Sequence, residues 1–274
     1  DRSGKALIKY FCQPCAATKT NGGRRRNLPE HEPEKWALFK EYCRQDVITE
    51  KTVSLRFSGH RVPKSVWQEW RTSTWMDARG VAVDTELVFR AIRCDQTESD
   101  RLTDEAKELT GLRNPNSGAQ LLPWLKAHGL DIDNLRKETV AEQLSGDLPV
   151  DARRVLELRQ EMAKASVKKY IAMVNCLCDD CRIRGLTQFY GANRSGRWAG
   201  RLVQIQNLPR TYLHGEALDQ ARELTRAGNA DTLRWRFGTV SDILSQLIRT
   251  AFIPRKGCVF VDVDFSAIEA RVVA

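Results

Sequence analysis

The sequence predicts an α+β chain that is mostly helical, and three observations carry that reading. Before about position 180, apolar residues recur every three to four positions through several long stretches, the spacing of one-sided helices. From Gly185 onward, glycines and turn formers separate shorter, strand-like runs. Near the end, Val259, Val261 and Val263 alternate with Phe260, Asp262 and Asp264, the period of a strand with two unlike faces.

Taken in order, residues 1 to about 30 read as loop, with the turn-forming basic run Thr20-Asn21-Gly22-Gly23-Arg24-Arg25-Arg26. Pro33 opens a helix whose apolar face runs through Trp36, Leu38, Phe39, Tyr42, Cys43 and Val47. A second helix carries Trp67, Trp70 and Trp75 and leads into Arg79-Gly80-Val81-Ala82-Val83-Asp84. Asp84 to Thr110 is a charged amphipathic helix, with Asp84-Thr85-Glu86 as its start signal. Asn114 to Ser117 is a turn ahead of a short helix, Ala119 to Ala127, that Gly129 closes. Val155, Leu158, Met162, Ser166, Tyr170 and Met173 mark one face of a single long helix. A domain boundary is expected near Cys181, and Gly215 to Ile248 is again helical in composition.

Of the 274 residues, 42% are hydrophobic and 29% charged, enough apolar material for a core. No apolar run approaches the ~20 residues of a membrane span. The net charge is +9, and residues 151 to 210 hold twelve basic against five acidic side chains, hence seven of those nine charges. Such clustering is the footprint of a polyanionic partner, with a solvated basic face as the plainer explanation. Among eight cysteines, Cys12-x2-Cys15 and Cys178-x2-Cys181 are each half of a zinc site. They are far apart and lack a histidine pair, which favours thiols in a reducing cytosol. The start without Met and the end inside an element read as a fragment of a longer protein.

Three constellations bear chemistry. Ser195 to Arg210 combines Arg197, Arg201, Gln206 and Asn207 on a Gly-rich, extended backbone. Guanidinium forks and amides of this kind meet phosphates and minor-groove acceptors, favouring duplex shape over sequence. At the C-terminus, Asp262 and Asp264 end a buried strand, and Ser266-x-x-Glu269 forms a capping box for the next helix. Carboxylate oxygens on rigid backbone suit Mg²⁺. On the helix after Pro33, Tyr42 and Asp46 share a face, a phenol beside a carboxylate that can orient a metal-bound water.

Ser195-Gly196-Arg197 with Gln206-Asn207-Leu208-Pro209 resembles the Thr-Gly-Arg…Gln-Asn-x-Pro motif of family A DNA polymerases, with Ser195 in place of Thr. The wording Gly-Arg-Trp-Ala-Gly-Arg-Leu-Val-Gln is similar to bacteriophage and prophage members. Asp264-Phe265-Ser266-Ala267-Ile268-Glu269-Ala270-Arg271 resembles the palm motif Asp-Tyr-Ser-Gln-Ile-Glu-Leu-Arg, and Ile248-Arg249-Thr250-Ala251-Phe252 resembles Ile-Arg-Gln-Ala-Phe. Glu41 to Val47 resembles the third motif of the proofreading exonuclease domain.

The resemblance implies three regions. These are the end of a ribonuclease H-like 3′–5′ exonuclease domain (1–60), a linker and helical thumb (61–182), and the first part of the palm (183–274). By the same implication, Asp264 is a ligand of both catalytic Mg²⁺ ions, with the Phe265 carbonyl a further ligand. Glu269 and Ser266 then stand at the incoming deoxynucleoside triphosphate, and Asp46 binds the exonuclease metal beside Tyr42. Primer–template DNA lies along Arg197, Arg201, Gln206, Asn207, Lys164, Lys168 and Lys169, in the cytoplasm of a bacterial host, with no membrane role. Asp262 has no counterpart in the motif. Asp84-Thr85-Glu86 has the letters of an exonuclease pair but follows Tyr42 and Asp46, so it stays a helix start. Relatives usually carry Gly where this chain has Cys181, which makes Cys181 a strained residue if the turn needs a positive φ. The resemblance implies DNA-directed DNA polymerase activity by two-metal phosphoryl transfer, incomplete within these residues. A non-catalytic duplex-binding fragment or degenerate polymerase is the alternative.

Overall fold

The computed structural model describes residues 2–163, 167–261, 263 and 266–273, without the side chains of Arg2, Ser3 and Glu269. The chain divides into two compact units, residues 1–68 and 69–274.

The first unit is built on α1 (Arg2–Cys12) and α2 (Pro33–Arg56). The helix α1 corrects the loop expected over the first thirty residues. Gly4, Leu7 and Phe11 fall at helical spacing, Gly4 and Phe11 buried and Leu7 half-buried. Phe11 stacks on Phe39, 5.5 Å between ring centres, and meets Trp36 edge-on at 5.1 Å. Gly4 lies flat against the Tyr42 ring, where any Cβ would overlap it. The close approach needs a glycine, which is why a helix so short contains one. Beyond α1 the chain turns, and buried Asn27 returns it by donating from Nδ2 to the Tyr10 carbonyl at 3.0 Å.

The helix α3 (Lys64–Arg79) leads into β1 (Val81–Val83) and the long α4 (Thr85–Thr110). The Asp84 side chain caps α4 by accepting from the Leu87 amide at 3.0 Å, as the start signal predicts. Gly111 ends it at φ +67°, the left-handed position that favours glycine. The helices α5 (Gly118–Ala127) and α6 (Lys137–Ser145) follow, then α7 (Val150–Met162) and α8 (Val167–Cys176). The single helix expected from Val155 to Met173 is described as these two; Lys164, Ala165 and Ser166 lie outside the described residues.

The remaining elements are β2 (Arg182–Ile183), β3 (Thr187–Gln188), β4 (Ala199–Gly200), α9 (Gly215–Ala227), α10 (Ala230–Phe237), α11 (Val240–Leu247), β5 (Phe252–Ile253) and α12 (Ile268–Val273). Among the described residues two antiparallel sheets result, β2-β1-β5 and β3-β4. Val81 pairs with Ile183 and Val83 with Phe252, so segments far apart in sequence meet on β1. No helix among the described residues is long and apolar enough to cross a membrane.

The helix α4 is the axis of this unit and packs on α7, α8, α9, α10 and α11. Its first half (Leu87, Val88, Ala91, Cys94) enters the main core with Tyr170, Met173, Leu233, Leu244 and Leu247. Its second half meets Leu158 of α7 through Leu102 and Ala106. A separate core joins α5, α6 and α7. Each fully buried Leu contributes about 1.5–3 kcal/mol of transfer free energy. Several polar groups buried among the described residues find partners inside. The Tyr170 hydroxyl donates to the Leu244 carbonyl at 2.6 Å. Glu98, only 6% exposed, accepts from Arg101 at 2.7 Å and from Arg234 at 2.6 Å, tying α4 to α10.

The buried strand expected over Val259 to Asp264 is not found among its described residues. Val259, Val261 and Val263 are 80%, 81% and 83% exposed, and no described strand pairs with them, so their alternation has no core to face. Asp262 and Asp264 lie outside the described residues.

The turn from α8 to β2 does require a positive φ, and Cys181 adopts +57°. Replacing Cys181 by Gly is expected to raise the stability of the reduced protein by about 1 kcal/mol, read from urea unfolding midpoints. Glu98→Gln is expected to cost about 3 kcal/mol, because it breaks a buried carboxylate held by two guanidinium groups. Asp95, pushed up to about 6 by burial and then by the charge of Glu98, adds a pH dependence. The unfolded carboxyl titrates near ~3.9, so the native state holds the extra proton between there and about 6. Stability therefore falls as pH rises through that window. Asp95→Asn should flatten this segment of the stability–pH curve and leave the variant favoured, relative to the parent, at neutral pH.

Candidate nucleic-acid interface

Residues 186–213 form a loop clamped at both ends. At its start, the Asp77 carboxylate of α3 accepts from the Thr187 amide at 3.1 Å and its hydroxyl at 3.0 Å. Trp198 donates from Nε1 to buried Ser73 at 3.0 Å. At its end, Arg249 donates to the carbonyls of Leu208 and Pro209 at 2.9 and 2.8 Å. Gln246 Oε1 accepts from the amides of Tyr212 and Leu213 at 3.0 and 3.1 Å.

Between the clamps the backbone is turned, which corrects the extended run expected from Ser195 to Arg210. Ala192 and Arg197 close a tight turn through Gly196 at φ +65°. Leu202 and Gln204 stand at +53° and +55°, and Ile205–Asn207 is one turn of 3₁₀ helix. Leu202 and Gln204 flank fully buried Val203, whose side chain fills the main core. Burying that one residue inside a surface loop forces the reversals on either side of it.

The structure brings several of the predicted DNA contacts together here. Lys169 donates from Nζ to the Val203 carbonyl at 2.7 Å, joining α8 to the loop. Arg201 hydrogen-bonds the Gln188 amide oxygen across the β3-β4 hairpin. The Gln206 amide lies against Gly200, whose missing Cβ makes room for it. Arg197, Arg201, Gln206, Asn207 and Lys168 are exposed, whereas Lys169 is half-buried. Lys169 is thus a structural clasp as well as a cation, while Lys168 presents its ammonium outward. Lys164 lies outside the described residues.

One group was not singled out from the sequence. Phe189 packs edge-on to Trp198 at 5.2 Å and tilted on Tyr190 at 4.6 Å. Tyr190 and Trp198 remain about half exposed beside Arg197 and Arg201. Aromatic faces among arginines suit stacking on bases as well as phosphate contacts. The signal was the aromatic pair Phe189-Tyr190 just ahead of the arginine run, legible only once the hairpin folds it back on Trp198.

The other predicted residues stand elsewhere. Tyr42 and Asp46 lie in the first compact unit, one turn apart on α2. Tyr42 hydrogen-bonds Asp46, and that bond, with the carboxylate's charge, raises the phenol above its ordinary range. The phenol stays protonated, able to donate to one oxygen and orient a water. Ser266 is exposed but does not cap α12 in the expected register. Ala267 at φ +52° is the last non-helical residue, so Ser266 stands one position too early. Its carbonyl instead accepts from Arg271 Nε at 2.9 Å. Asp264 and Phe265 lie outside the described residues, as does the Glu269 side chain. Among the described residues no three His, Cys, Asp or Glu side chains converge as metal ligands.

No protein-family model matches the sequence. Over all 274 residues the chain is 53% identical to a protein of Bacillus phage SP02 named DNA polymerase. The chain spans 42% of the length of that relative.

Proposed function

We propose that the chain contributes to a DNA-directed DNA polymerase of family A, phage type. In this reading, residues 1–60 end a 3′–5′ exonuclease domain, 61–182 form the thumb, and 183–274 begin the palm. The observation that carries it is 53% identity over all 274 residues of the chain to a phage protein named DNA polymerase. The ordered motifs at Arg197–Pro209 and Asp264–Arg271 agree with it, as do the clamped basic loop and its aromatic cluster.

The duplex of primer and template lies on the loop. Arg197 and Arg201 approach phosphates or base edges as forks, Gln206 and Asn207 offer amides to minor-groove acceptors, and Lys168 meets the backbone as a point charge. None of these contacts distinguishes one sequence from another, as a replicating enzyme requires. Deoxynucleoside triphosphate binds at the start of α12, near Ser266 and Glu269. Asp46 offers an exposed carboxylate beside a protonated phenol, an all-oxygen set suited to Mg²⁺ with a water shell. Asp264 and the Phe265 carbonyl are the corresponding ligands of the polymerase site. Magnesium, when bound, neutralises charge on the phosphoryl oxygens and acidifies the attacking hydroxyl. The site of action is the cytoplasm of a bacterial host.

Two experiments on the gene's full-length product test this reading. Asp264→Ala should lower primer extension by roughly a thousandfold or more while leaving primer–template affinity nearly unchanged. Undiminished extension would refute the assignment, and magnesium-independent duplex binding without any extension in the parent would favour a non-catalytic DNA-binding protein. The two lysines provide the second test. Lys168→Ala should weaken duplex binding uniformly across sequences and reduce the slope of log affinity against log salt by about 0.9. Lys169→Ala should instead cost about 1–2 kcal/mol of stability, because it frees the Val203 carbonyl.

A further inference from the structure

The hairpin between α8 and β2 holds a feature that neither DNA binding nor phosphoryl transfer uses. Leu177 bridges to Ile183, Cys178 N–H donates to the Arg182 carbonyl at 2.9 Å, and Cys181 N–H donates to the Cys178 carbonyl at 2.9 Å. Residues 178 and 181 are therefore the first and fourth positions of a closed turn. Such positions have Cα atoms within about 7 Å of each other, against the ~4.4–6.8 Å that a disulfide spans. The position of Cys181 favours glycine, at φ +57°, yet carries a thiol. All eight cysteines are free; Cys181 is exposed and Cys178 half-buried.

The surroundings differentiate the thiols. Arg184, held by both oxygens of Asp180 at 2.8 and 2.6 Å, also hydrogen-bonds the Cys178 sulfur. Cys176, two residues earlier, has its thiol pushed up by burial and then by the neighbouring Cys178. Its thiolate, the reactive form, is thereby disfavoured.

We propose that Cys178 and Cys181 are a reversible dithiol–disulfide pair, a redox modification site at the edge of sheet β2-β1-β5. With oxidised glutathione as the oxidant, the exposed Cys181 thiolate attacks one of its sulfurs. A mixed disulfide forms and one glutathione thiolate leaves. Cys178, beside Arg184, then attacks the Cys181 sulfur and expels the second glutathione. Two protein thiols are oxidised to one disulfide and one small disulfide is reduced to two thiols; the two thiol protons pass to the released glutathiones. The Cys181 carbonyl accepts from the Val83 amide at 2.9 Å, so the closed ring anchors β1 as well as β2.

The test is to equilibrate the protein in glutathione buffers of graded ratio, quench by alkylation, and weigh the tryptic peptide Tyr170–Arg182, which contains Cys176, Cys178 and Cys181. In oxidising buffer one alkyl group and one internal disulfide are expected, reverting to three alkyl groups with excess dithiothreitol. The disulfide form should fall by roughly tenfold or more in Cys178→Ser and in Cys181→Gly, and persist in Cys176→Ser. Because Cys181→Gly relieves the backbone, misfolding does not account for its loss there. Three alkylated cysteines at every ratio would overturn the proposal, as would a disulfide that survives in Cys181→Gly.

Discussion

The Asp84 carboxylate is the point on which the larger unit depends. One oxygen caps α4 through the Leu87 amide, and the other accepts from Arg222 at 3.4 Å and from Arg226, both on α9. The Asp84 amide donates to the Ala251 carbonyl at 2.8 Å, next to β5. A sheet edge, a helix start and a second helix thus meet on one residue, whose side chain is 10% exposed. A carboxylate buried to that degree is tolerated only when donors surround it, and here they come from the first turn of α4 and from two arginines of α9. The cap alone is worth about 1 kcal/mol. Its larger effect is to set the direction in which α4, the axis of the core, leaves the sheet.

Charge counting proves a poor guide to which cations are available. Of the twelve basic residues between positions 151 and 210, several spend their donors inside the protein. Arg153 donates to the carbonyls of Leu144 and Gly146, Arg154 pairs with Glu105, and Lys169 holds Val203. Arg182 and Arg184 serve the end of α3. The exposed basic side chains Lys168, Arg194, Arg197, Arg201 and Arg210 lie at the start of α8 and on one loop, with Arg201 also bonded to Gln188. The excess of positive charge is real, but its useful part is smaller and more localised than composition implies.

Signals that act over a few residues were legible in sequence. The Asp84 cap, the Gly129 stop and the Pro33 start all follow from local backbone chemistry, and the positive φ at position 181 agrees with the glycine expected there from the resemblance. The elements that depended on distant partners were not. The helix α1 hid because its packing face includes a glycine, which ordinarily signals a turn but here admits the Tyr42 ring. The Val259–Val263 alternation reads as a strand, yet alternation only offers a face and cannot supply the neighbour that buries it. At the candidate interface, Arg197, Gln206 and Asn207 were singled out by motif spacing and Arg201 by its place in the same basic run. The roles of Ser73, Asp77 and Gln246 were not, since each acts from more than thirty residues away.

The C-terminal end of α3 shows how such distant partners are organised. The consecutive carbonyls of Asp77, Ala78, Arg79 and Gly80 accept from the Gly185 amide, the Arg184 guanidinium and, twice, the Arg182 guanidinium. Acceptors ascend in sequence while donors descend, so a helix end and a strand are laced antiparallel, with arginine forks standing in for most of the amides. Carbonyls at a helix end have no partner in their own helix, and four of them are satisfied here by a segment a hundred residues away. The lacing behaves as a distributed fastening. Loss of any one donor leaves its neighbours in register, so the last turn of α3 should fray as a group, when the strand itself lets go, and not carbonyl by carbonyl.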